Sequence, residues 1–183
     1  MSRETRRPRR PGRRLNVGNR YSASILIGGK LRRKQFMTFM EEVYLADLGV
    51  DWGVPFPAEL RDPAWMPDLL DDAGRLYLMS DQACDGQFAD LEEWLRSSEM
   101  SYDRHSGVDG GCDRVVEMWR PGMERPLQRW ASIEGDALIT VGPIIEAHKA
   151  LRLGHVQSAQ DLLDRSVGVL QHIAVLPCFE ITD

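Results

Sequence analysis

Tyr21–Leu48 reads YSASILIGGKLRRKQFMTFMEEVYLADL, and the fold turns on where the spacing of its apolar residues changes. Over Tyr21–Ile27, Tyr21, Ala23, Ile25 and Ile27 fall on one side and the serines mostly on the other, the two-residue period of a half-buried strand. From about Arg32 the apolar positions become Phe36, Phe39, Met40, Val43, Tyr44 and Leu48. Those are steps of three and four residues, a helix with one buried stripe, and Gly49 stands just beyond as a stop. Gly28-Gly29 is therefore expected to end the strand, which makes Gly28–Lys34 (GGKLRRK) the turn that enters the helix.

Outward from this unit the same reasoning gives a mixed order of elements. Residues 50–74 carry Pro55, Pro57, Pro63 and Pro67, so a long irregular loop is expected, packed down by Trp52, Phe56 and Trp65. A strand over Arg75–Met79, a helix over about Gln87–Arg96 and strands near Met100–His105, Arg114–Trp119 and Gln128–Ile133 follow. A turn at Gly135-Asp136 predicts a return strand. Two helices, about 143–153 and 156–173, are separated by Gly154. Leu151–Val167 (LRLGHVQSAQDLLDRSV) resembles the turn and second helix of a tetratricopeptide repeat, but Pro143, Ala147 and Ala150 depart from that pattern upstream. One such unit cannot build a solenoid, so a hairpin capping the sheet is expected. The predicted class is α+β: a mostly antiparallel or mixed sheet, helices on one face, and a C-terminal helical hairpin. Three regions are expected, namely a disordered arm over 1–19, an α+β body over 20–141 and the hairpin with its tail over 142–183.

Charge divides the chain more sharply than its formal −5 suggests. Residues 1–34 hold twelve Lys and Arg against Glu4 alone, leaving eleven bases against 27 acids in the remainder. Seven arginines lie in the first fourteen positions, too polar a stretch to offset its ordering entropy. No apolar run approaches the ~20 residues of a membrane helix, and no membrane association is expected. Cys84, Cys112 and Cys178 are odd in number, distant and without a CxxC pair, which fits a reducing, cytoplasmic setting.

Four stretches invite a chemical reading. Asp81–Glu92 (DQACDGQFADLE) has acids at positions one, five and twelve and Gly at six, like a calcium loop. Ala83 and Ala89 occupy ligand positions three and nine, so the letters suit a helix start instead, with Asp85 as its cap. Ser101–Arg114 (SYDRHSGVDGGCDR) gathers Asp103, His105, Asp109, Cys112 and Asp113, but in no recognised ligand spacing. GGKLRRK crowds Lys30, Arg32, Arg33 and Lys34 at a helix N-terminus, where the dipole favours anions; a phosphate or the acidic body would relieve that clash. Finally Arg6, Arg7, Arg9, Arg10, Arg13 and Arg14 supply phosphate affinity without sequence reading.

No nucleophile elbow, zincin helix, dinucleotide glycine pattern or zinc half-site is present, so no catalytic residue, cofactor or metal is assigned. The expectation is a small non-catalytic binding or regulatory protein whose acidic body engages a protein partner. The alternative is nucleic-acid binding through residues 1–34.

Overall fold

The structure is a computed structural model that describes residues 18–56, 63–107, 114–132, 138, 141–171 and 174–183, with side chains described except at Pro55 and over 167–171. It is an α+β fold. In chain order the main elements are β1 (Arg20–Arg32), α1 (Phe36–Leu45), β2 (Gly49–Asp51), β3 (Val54–Pro55), β4 (Leu76–Cys84), α2 (Ala89–Ser97) and β5 (Ser101–Ser106). Then come β6 (Arg114–Trp119), β7 (Leu127–Ala131), α3 (Val141–Arg152), α4 (Val156–Gln171) and β8 (Phe179–Thr182). Strands β3-β2-β4-β1-β5-β6-β7 lie side by side, all antiparallel, and β8 joins β1 in parallel.

The alternation expected in the first strand is present. Ala23, Ile25 and Ile27 are buried, and they share a core with Phe36, Phe39, Met40 and Val43 of α1 and Leu91 and Leu95 of α2. The strand does not stop at Gly28-Gly29, however. It runs on to Arg32, with Leu31 fully buried, so GGKLRRK is mostly strand rather than a turn into a helix. Two glycines make this possible. A Cβ at Gly28 would collide with the Pro177 carbonyl, and Gly29 adopts φ +110°, a conformation L side chains avoid. At that kink β1 leaves β4 and β5 and takes β8 as its partner, Gly29 opposite Phe179 through Arg32 opposite Thr182.

The described residues between 50 and 74 are also more regular than the prolines of this stretch suggested. They contain the short β2–β3 hairpin and a 3-10 turn over Pro63–Leu69. Phe56 and Met66 hold this segment to the core, whereas Trp52 and Trp65 stand about half exposed. The expected return strand lies largely outside the described residues. Of it, Leu138 is described, and its N–H donates to Trp130 O at 2.6 Å along the outer edge of β7. The two C-terminal helices are joined at Gly154 (φ +78°) and pack through the small residues Ala147 and Ala159.

Candidate functional site

The cations singled out from sequence are not gathered into one site. Arg6, Arg7, Arg9, Arg10, Arg13 and Arg14 lie outside the described residues. Lys30 and Arg32 project from β1, while Arg33 and Lys34 belong to a single 3-10 turn before α1. Lys30 Nζ is 3.8 Å from Glu180 and Arg33 Nε is 3.6 Å from Asp183, both on the surface. Acids of the C-terminal segment thus answer two of the four charges, and no helix dipole is needed to account for them.

The calcium-like stretch folds as a strand end and a tight turn. Asp85 (φ +52°) and Gly86 (φ +67°) are the two left-handed residues of a hairpin turn closed by Gln87 N–H to Cys84 O at 3.0 Å. Asp85 does not cap α2. Its carboxylate accepts the Asn19 N–H at 3.0 Å, tying down the start of β1. The cap residue is Phe88, and Glu92 reaches back to accept its N–H at 3.0 Å. Of the second stretch, Asp109, Cys112 and Asp113 lie outside the described residues. Asp103 grips Arg120 through both oxygens, at 2.6 and 3.1 Å, and Arg120 Nε donates to Ala174 O at 2.9 Å. That clamp fixes the C-terminal segment on the face of the sheet opposite α1 and α2. His105 is half-buried there, and burial lowers its pKa against the opposing pull of Asp103. Among the described residues, no group of three His, Cys, Asp or Glu is placed to hold a metal.

A charged network escaped sequence reading altogether. Arg104, fully buried on β5, donates to Gly86 O at 2.7 Å, Ser106 Oγ at 3.2 Å and Glu117 Oε2 at 3.0 Å. Its Nε stands 2.7 Å from Glu92 Oε1 without an N–H aimed along that line, so charge rather than a directed bond joins them. Tyr102 donates to Glu117 Oε1 at 2.8 Å and accepts from Arg96 at 2.8 Å, while the Gln128 amide donates to Glu117 Oε2 at 2.6 Å. Burial raises the pKa of Glu92 despite Arg104. Burial also opposes the Glu117 carboxylate, but Gln128, Arg104 and Tyr102 outweigh it and hold its pKa below the ordinary value. The two carboxyls are thus shifted in opposite directions, Glu92 up and Glu117 down, with Arg104 facing both. Burial and the two glutamates raise the Tyr102 hydroxyl, which stays neutral.

The network had a signal in the sequence. Arg104 is in phase with Tyr102 on one strand and Glu117 with Trp119 on the next, and the two charges face each other in register. An opposite pair at directly paired, inward positions is recognisable only once the strand pairing is known. Chemically the cluster is closed. Each charge has a partner, and Arg104, Glu92 and Glu117 are all buried. It pins α2 and the Asp85-Gly86 turn to β5 and β6.

Its outermost member, Gln128, also lines a groove of about 700 Å³ between the sheet and the hairpin. Val115 and Trp130, opposite one another on β6 and β7, form the floor with Gln128. Leu162, Arg165 and Ser166 of α4, spaced three and four apart, present one helix face as the wall. Leu138 and Pro143 close the rim, and Arg129, paired with Val116 and so alternating with Gln128 and Trp130, borders the groove on β7. A separate acidic hollow, with Asp47, Asp51 and Asp81, lies beside β2 and β4.

The chain matches no protein-family profile, no curated protein and no solved structure. Among the described residues, no helix is long and apolar enough to cross a membrane.

Proposed function

We propose that this is a small non-catalytic binding protein of the cytoplasm, and that its acidic body meets a protein partner through the α3–α4 hairpin. One observation carries the reading. Val141, Ile144, Ile145 and Leu151 stand exposed on α3, and Leu153 and Val156 continue the apolar surface around the hairpin turn. Leu153 is 72% exposed, a poor position for leucine unless something covers it. The 27 acids of residues 35–183 would steer a basic partner toward this surface, raising the association rate at low salt.

Affinity capture from native cells tests the proposal, comparing the wild-type chain with an Ile144→Glu/Ile145→Glu variant in the presence of nuclease. Protein captured by the first and lost by the second supports it. Equal capture by both sinks it.

The second reading is nucleic-acid binding through residues 1–34. Arg32 and Lys34 are exposed with no ion pair among the described residues, so they remain available to phosphate. Deleting residues 1–14 should then abolish retention on DNA or RNA at low salt. Unchanged retention would exclude the arm.

A further inference from the structure

We propose that the groove between β6–β7 and α4 binds a small planar aromatic anion, a ring system bearing a carboxylate or a phosphate. The argument begins with size and shape. At about 700 Å³ the groove falls in the range that encloses a drug-sized ligand, and most of its lining comes from β6, β7 and α4. Trp130 lies on its floor with 51% of its surface exposed, unusual for a tryptophan in the middle of a strand. The backbone beneath it is fixed on both sides, by pairing with Val115 and by the Leu138 N–H. An indole held open in this way offers a face on which another ring can stack.

Charge supplies the rest. Arg129 and Arg165 line the groove, whereas no acid does so among its described lining residues. In a chain with more acids than bases that is a local reversal of sign. Arg165 is exposed on α4 and has no ion pair among the described residues. Arg129 alternates with Gln128 and Trp130 along β7, and its guanidinium turns back to the strand to donate to the Gln128 carbonyl at 2.9 Å, with further donors left over. Guanidinium is suited to bidentate capture of carboxylate or phosphate. Gln128 is held by Glu117 and separates that buried carboxylate from the groove, so the polar floor meets the ligand as a neutral amide. The wall adds Leu162 and Ser166, whose hydroxyl is already donated to Leu162 O at 2.8 Å. An aromatic body with one anionic end matches this distribution of apolar surface, indole face and guanidinium.

The test is titration of the full chain with AMP and with indole-3-acetate, each beside its uncharged counterpart, adenosine and indole-3-acetamide. Binding is followed by calorimetry and by the portion of tryptophan emission that Trp130→Phe removes. At least one anion is expected to bind with a Kd below about 1 mM and to quench Trp130, with its neutral counterpart about tenfold weaker or more. Which anion binds decides between phosphate and carboxylate. Arg165→Gln and Arg129→Gln should each weaken binding about tenfold, Trp130→Leu likewise, with melting temperatures near wild type. The proposal is overturned if neither anion binds, if the neutral compounds bind equally, or if affinity survives both arginine variants. Such a failure leaves the protein-partner reading intact, because Ile144 and Ile145 do not line the groove.

Discussion

Arg104, Glu117 and Glu92 show how a charged group is accommodated where a core should be apolar. Arg104→Met removes the counter-charge of Glu117 and leaves the buried carboxylate with only the Tyr102 and Gln128 hydrogen bonds, so a loss of about 3–5 kcal/mol is expected in urea unfolding at neutral pH. Glu92→Gln should behave differently. The Glu92 pKa is raised in the fold, so the folded state holds a proton that the unfolded chain releases above the ordinary carboxyl value of 4.5. Stability contributed by that proton is present below 4.5 and falls as pH rises through the folded pKa. The amide variant should lose this slope and match or exceed wild type at neutral pH, as read by melting temperature across a pH series. His105 has the opposite sign. Its pKa is depressed below 6.5 by burial, so stability is full above 6.5 and declines as pH falls through the folded value. His105→Gln should flatten the profile in that window, with Asp103, Arg114 and Arg104 still facing the site. The identity of each charged residue was plain from sequence. Its burial was not, because an arginine in YDRHS looks equally suited to either face until a neighbouring strand supplies the glutamate.

Elements were legible where periodicity was strong. The strand Tyr21–Ile27, the helix that follows it and the C-terminal hairpin appear close to their expected places, since each has one apolar face of clear period. What spacing could not show was the continuation of β1 past two glycines. Glycine usually signals a break, yet here the missing Cβ admits Pro177 from a segment distant in sequence. Gly28→Val should therefore lift the C-terminal segment from the sheet, at a cost of about 1–3 kcal/mol. Faster hydrogen exchange at the Gly29 N–H, now bonded to Cys178 O at 2.9 Å, would be its local mark. The Asp85-Gly86 turn yields a second element-scale expectation. Gly86→Ala should destabilise by about 1 kcal/mol or more, since φ is +67° and the added carbon meets Ser106 at 2.8 Å. Asp85→Asn should be tolerated by the turn, and added calcium should leave the melting temperature unchanged. A calcium-dependent rise would show that the acids of this stretch do hold a cation.

Across the whole molecule, charge segregation was visible from composition, while its spatial use was not. The groove with Arg129 and Arg165 draws on β7 and α4, 36 positions apart between those two residues, and no local pattern marks such a meeting. If the acidic body steers a basic partner, association should slow markedly between about 50 mM and 200 mM salt while dissociation changes less, measurable by stopped flow once the partner is captured. A salt-independent rate would argue for a purely apolar encounter. The parallel pairing of Gly29 with Phe179 has its own consequence for how the chain reaches this form. The two residues are 150 positions apart, so the contact is among the most non-local in the molecule and adds to its contact order. Without β8, Gly29–Arg32 would be an open strand edge beside the core. Were β8 to detach, the charges of Lys30 and Arg32 on the uncovered edge would oppose pairing with the same edge of a second chain.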